Sequence, residues 1–191
     1  GIERIYEEVK NTFPDSKICL LSSDIIKNEN DWDKIILPIM NNEVDIIIGT
    51  QIISKGHHFP HLKTVGILNI DNLLNSFDLR ASERAYQLIT QVAGRAGREE
   101  MRGNVFIQTF QPNHPVIRSI ITSKKEKFID WELSERKKNL QPPYSKLISL
   151  IITNKNKTLA ENHSFKIIKE LRQAFSEITC YGPSPAPLFK I

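Results

Sequence analysis

The chain is 191 residues long, with 40% hydrophobic and 25% charged residues. That balance is globular, excludes a disordered chain, and allows one full domain and part of a second. The formal net charge is +4 and the pI is near 9.0, so a polyanionic partner is compatible with the composition without being required by it. No run of about 18 apolar residues occurs, so no membrane span is expected. The two cysteines, Cys19 and Cys180, sit in separate apolar runs with no CxxC pair. Neither a self-contained zinc site nor a disulfide framework is expected, and a reducing cytoplasm is the simplest compartment. The chain begins at Gly1 without a signal-peptide pattern, and a piece of a longer protein is expected.

Apolar residues at Ile2, Ile5, Tyr6, Val9 and Phe13 recur at helical spacing, and Pro14-Asp15 ends the helix they predict. Ile18 to Leu21 reads as a buried strand. Asp31 to Asn41 reads as a helix with Pro38 as its weak point. Val44 to Ile48, rich in β-branched residues, is the clearest strand. Residues 49–60 read as a loop, 64–70 as a strand and 71–78 as a loop. A long helix, capped by Asp78 or Ser82, is predicted to run to about Gly97. Residues 103–110 form a further strand. The alternation predicts an α/β fold, a parallel sheet with helices on both faces. Ligands of such sheets bind beyond the carboxyl ends of the strands, which is where the 49–60 loop falls.

Residues 114–138 read as one or two lysine-rich helices. The Pro142-Pro143 pair marks a linker at 139–143. Beyond it, strands at 147–153 and 178–181 around a helix at 159–175 predict a β-α-β unit over 144–191, part of an α+β C-terminal domain.

The segment richest in chemistry is Gln91-Val92-Ala93-Gly94-Arg95-Ala96-Gly97-Arg98. Arg95 and Arg98, three apart, would share a helix face. A guanidinium is always charged and forks onto phosphate oxygens. Gly94 and Gly97 remove bulk beside them, although a helical glycine costs roughly 1 kcal/mol relative to alanine. A purely structural role is also open, in which the arginines offset a helix dipole and Gly97 ends the helix.

QVAGRAGR resembles the QxxGRxGR motif VI of superfamily-2 helicases. Gly49-Thr50-Gln51-Ile52-Ile53-Ser54-Lys55-Gly56-His57-His58-Phe59-Pro60 resembles motif V at the expected distance upstream. More narrowly, GTQ…KGHHFP, FDLRASERAYQLITQVAGRAGR and LQPPYSKL resemble the PriA replication-restart family over nearly the whole chain. Leu79 departs from a frequent aromatic, and Ser76-Phe77 from a common Pro-containing turn.

The resemblance implies that residues 1–138 are a second RecA-like helicase lobe and that a truncated C-terminal domain follows. It implies an ATP-dependent 3′-to-5′ DNA helicase, with ATP and Mg shared with a first lobe and Zn held in the intact protein outside this chain. It assigns Arg98 as arginine finger, Arg95 as its assistant and Gln91 as an orienting group, with Gly94 and Gly97 permitting close approach. Thr50, Gln51, Lys55, Gly56 and His57 fall on the DNA backbone. Forked or single-stranded DNA, primosome proteins and single-stranded-DNA-binding protein are the implied partners of a monomer. Another superfamily-2 translocase, or a non-enzymatic DNA-binding fragment, are the alternatives. The chain contains no GxxxxGK[ST] loop and no DExH box, so by itself it is expected to lack ATPase activity.

Other residues carry less. His57, His58 and His61 make a tempting cluster, but Pro60 interrupts any helix there and no metal site is expected. Lys124, Lys125, Lys127 and the Arg136-Lys137-Lys138 run read as a solvated face. Trp32 and Trp131 read as packing residues ahead of base-stacking ones. Asp71, Asp78 and Glu83 are candidates to pair with Arg80 or Arg84.

Overall fold

The computed structural model describes residues 1–22, 29–50, 59–94, 96 and 103–185. These divide into two compact units, residues 1–135 and 136–191.

In the first unit the predicted α/β character is present. Helix α1 (Ile2–Thr12) lies against strands β1 (Ile18–Leu21) and β2 (Ile46–Gly49), which pair in parallel with Ile18 opposite Ile46. A parallel pair needs a crossover, and α2 (Glu29–Met40) lies on it. Pro38 sits inside α2, close enough to its end that the lost N–H removes only a last-turn bond. The pair is latched at its entrance, where the Lys17 N–H donates to Asp45 Oδ2 at 2.8 Å and the Lys17 carbonyl accepts from Asp45 N at 2.9 Å. Leu21, Ile39 and Phe59 bury together, with Cys19, Ile35 and Ile47 packed around them. Burial pushes the Cys19 thiol up and so keeps it protonated and unreactive.

Strands β3 (Thr64–Ile67) and β4 (Asn104–Ile107) form a second parallel pair, Gly66 opposite Phe106. Among the described residues the four strands make two separate two-stranded sheets and no single continuous one. Strand β3 is shorter than expected because Asn69 takes a left-handed φ of 51°, which turns the chain out of the sheet. The predicted 71–78 loop begins with a one-turn helix, α3 (Asp71–Leu74). Helix α4 (Ala81–Ala93) follows, then α5 (Pro115–Ile121) and α6 (Lys125–Lys138).

The main core lies among these helices. Ile70, Leu74, Ala85, Ile89, Val116, Ile117 and Phe128 are buried together. Tyr86 stacks on Phe128, centroids 4.6 Å apart and planes 4° from parallel, and Trp131 tilts against Phe128 at 6.3 Å. Trp131 is therefore a packing residue, as its spacing suggests; the Trp32 side chain lies outside the described residues. His114 caps α5: its Nδ1 accepts from Val116 N at 3.2 Å, and its ring meets Trp131 edge-on at 5.5 Å. Pro115 at the first helical position helps, since its missing N–H would have had no partner there.

The second unit holds one long helix, α7 (Lys157–Ala174), capped by Asn156, whose Oδ1 accepts from Leu159 N at 3.3 Å. No residue of α7 is fully buried. The strands expected at 147–153 and 178–181 are not formed, because a strand requires a hydrogen-bonded neighbour and neither segment has one among the described residues. Arg136 leaves the charged run: it is buried, and its Nη1 donates to the Pro142 carbonyl at 2.9 Å.

The units differ in charge. The first carries sixteen Lys and Arg against nineteen Asp and Glu, and the second carries ten against three. Net charge is thus −3 in one and +7 in the other, and the whole positive excess belongs to residues 136–191.

Candidate functional site

Two places in the first unit hold sequence-predicted residues or lie next to them: the carboxyl end of β2 and the end of α4. At the carboxyl end of β2, Thr50 is exposed, and its N–H donates to the Leu21 carbonyl at 3.3 Å. That bond continues the β1–β2 ladder by one residue and fixes Thr50 as the first residue past the sheet. Gln51, Lys55, Gly56, His57 and His58 lie outside the described residues; His61 is exposed.

At the second place α4 ends sooner than expected. Its last residue is Ala93, and Gly94 closes it with φ −67° and ψ −5°, donating to the Thr90 carbonyl at 3.0 Å. The helix does not reach Gly97, and Ala96 already lies in a bend. The expected run of this helix to about Gly97 is therefore corrected to an end at Ala93, while the expectation that Arg95 and Arg98 share a helix face falls outside the described residues. Arg95, Gly97 and Arg98 lie outside the described residues. Gln91 stands exposed on the last turn of α4, three residues before Gly94. A β-carbon on Gly94 would come within 3.3 Å of the Thr90 carbonyl oxygen. The glycine thus fits closely against its own helix, a tighter reason for its presence than open access alone.

The start of α4 differs too. Neither Asp78 nor Ser82 is its N-cap. Asp78 Oδ1 instead accepts from Arg80 N at 2.9 Å, and the Asp78 carbonyl accepts from Ala81 N at 2.9 Å. Asp78 also pairs with Arg84, and Glu83 pairs with Arg80 at 2.9 Å. These half-exposed pairs fix the approach to the helix more than they stabilise it.

Asp71 belongs to a different set. Its Oδ1 accepts from Thr109 Oγ1 at 2.9 Å and its Oδ2 from Phe110 N at 3.0 Å. Thr109 Oγ1 in turn accepts from Gln111 N at 2.9 Å, and Gln111 Nε2 donates to Asn75 Oδ1 at 3.1 Å. Gln108 Oε1 accepts from Asn69 N at 3.1 Å. Burial pushes the Asp71 carboxyl up, but the Phe110 N–H and the Thr109 hydroxyl outweigh it, and the net effect holds the group below its ordinary value of 3.8. The carboxylate therefore locks the loop after β3 to the loop after β4. Nearby, burial lowers His114 from 6.5, opposed by the charges of Asp71 and Glu132. The amino-acid order holds no sign of this network, because nothing in it says that residues 71 and 109 meet.

Comparison with known proteins finds no matching family model. It finds a run of similar curated proteins. The chain is 38% identical over 191 residues to Replication restart protein PriA of Rickettsia prowazekii, covering all of this chain and 29% of that protein. It is 44% identical over 153 residues to the PriA of Rickettsia conorii, covering 80% of this chain and 24% of that one. It is 32% identical over 192 residues to the PriA of Bacillus subtilis, covering all of this chain and 24% of that one. The chain thus spans about a quarter of the length of these relatives. It belongs to the PriA replication-restart family.

Proposed function

We propose that this chain contributes the second RecA-like lobe, and the start of a C-terminal domain, to an ATP-dependent 3′-to-5′ DNA helicase that restarts replication. The observation carrying the reading is the end-to-end match to proteins named for replication restart, combined with QVAGRAGR and GTQ…KGHHFP in the order a superfamily-2 motor requires.

In this reading ATP and Mg sit mainly on a first lobe that this chain does not contain. Gln91, at the end of α4, and the arginines that follow it meet the triphosphate from the other side. Arg98 forks onto the γ-phosphate and offsets charge developing there, with Arg95 beside it. Thr50, with Gln51, Lys55, Gly56 and His57 after it, contacts the DNA backbone, which positions a strand without reading its sequence. The excess of cations in residues 136–191 supports a nucleic-acid partner as well. Zinc belongs to the intact protein outside this chain. Primosome proteins and single-stranded-DNA-binding protein are the proposed partners of a cytoplasmic monomer.

The test is Arg98→Ala in the intact protein. DNA-stimulated ATP turnover is expected to fall by about 10³ to 10⁵, with DNA affinity kept. Unchanged turnover would remove Arg98 from the mechanism and favour a DNA-binding role without catalysis.

A further inference from the structure

The carboxyl ends of β3 and β4 lead into two loops that are fastened to one another. Asp71 accepts from Thr109 and from the Phe110 N–H, and Gln111 reaches across to Asn75. Asn75 N also donates to the Asp71 carbonyl at 2.9 Å, and Ser76 N to the Leu73 carbonyl at 3.3 Å. The backbone on either side of this seam is therefore held in place. From it two phenylalanine side chains stand in solvent: Phe77 is 98% exposed and Phe110 is 94% exposed.

An exposed phenylalanine forgoes most of the stabilisation that burial would bring. One such ring is ordinary on a protein surface. Here there are two, on pinned loops, at the end of a parallel pair where ligands bind. Their flanking residues are mostly polar: Ser76 and Asp78 beside one, Thr109 and Gln111 beside the other. Separate rings in polar surroundings suit a partner that offers separate flat faces. A protein partner would call for a broader continuous apolar patch. Nucleobases offer such faces, and stacking on them tolerates any sequence because every base has one. Arg80 and Arg84, just after Phe77, supply cations for a phosphate backbone. Both arginines are exposed, and each is paired with a half-buried carboxylate, Glu83 for Arg80 and Asp78 for Arg84.

We propose that Phe77 and Phe110 form a stacking platform for unpaired bases of a single-stranded nucleic acid. The choice of nucleic acid over protein rests on the DNA-motor reading above, while the platform itself rests on the two rings and the seam.

The experiment measures fluorescence anisotropy of a labelled oligothymidylate and of a labelled blunt duplex, titrated with the intact protein. Phe77→Ala and Phe110→Ala are each expected to weaken oligothymidylate binding about 5- to 150-fold and to leave duplex binding alone. Neither side chain is packed, so thermal melting should not move. Phe→Leu at both positions should lose affinity as alanine does. Phe→Trp should keep it, and the new indole fluorescence should be quenched by the oligonucleotide. Unchanged affinity in the double alanine variant overturns the proposal. So does full affinity in the leucine variant, which would make the surface a general apolar contact. These readouts do not involve ATP, so they stand or fall separately from the Arg98 test.

Discussion

The two units of this chain solve opposite problems. Residues 1–135 bury two apolar clusters, pair four short strands and carry a net charge of −3. Among the described residues, 136–191 hold one whole helix, α7, in which no residue is fully buried, and the unit carries +7. The first is organised by packing, the second by charge and by apolar surface left open: Ile148 is 88% exposed. A motif-bearing region and a cation-rich region can thus lie side by side in sequence yet obey different physics. A substitution should then be felt as lost stability in one and as lost electrostatic attraction in the other.

The largest effect outside catalysis should come from the core. Ile89, fully buried between α4 and its neighbours, becomes a cavity on replacement by alanine and should cost about 2–5 kcal/mol in chemical denaturation. Ile148→Ala should cost under about 0.5 kcal/mol. Equal losses at the two positions would erase the distinction between the units. Next, replacing Lys146, Lys155 and Lys169 of the second unit by glutamine should reduce the salt dependence of single-stranded DNA binding. The log–log slope should shrink by about 0.7 for each phosphate no longer neutralised. Three lysines of the first unit, Lys10, Lys17 and Lys63, should not do so. An equal change from both sets would show that the charge division is irrelevant to binding.

The smallest effect concerns pH. His114 is held below 6.5, so its contribution to stability is complete above that value and fades as pH falls through the lower folded one. Protonation takes the Nδ1 lone pair from the Val116 N–H and uncaps α5. Asp71 is likewise held below 3.8, so its loop-locking contribution persists until still more acid conditions. His114→Asn keeps a capping acceptor without a titrating group. Melting temperatures between neutral pH and about pH 5 should then flatten; an unaltered slope would show that His114 does not set it.

Much of the first unit is legible in the sequence. Ile18–Leu21 and Val44–Ile48 read as strands because β-branched and apolar runs of that length have few other fates, and the strands formed are Ile18–Leu21 and Ile46–Gly49. Trp131 reads as a packing residue and is one. The end of α4 is not legible, because QVAGRAGR keeps helical spacing through its arginines while the chain leaves the helix at Gly94, where two glycines weaken it. Residues 147–153 read as a strand because their composition is that of one, but composition does not supply a neighbour to pair with. The Asp71 seam and the exposed Phe77 and Phe110 are invisible for the same reason: each depends on a partner or an exposure that only the folded chain defines. Gln91 stands on the last turn of α4, Gly94 closes that helix and Thr50 follows β2.

The proposed motor role turns on the guanidinium groups that follow α4 and complete a nucleotide site. DNA-stimulated ATP hydrolysis by the intact protein carrying Arg95→Lys and Arg98→Lys isolates that role, because lysine keeps the charge and removes the planar fork. Turnover is expected to collapse while oligonucleotide affinity stays at the wild-type level. Turnover at the wild-type rate would contradict the nucleotide role of both arginines.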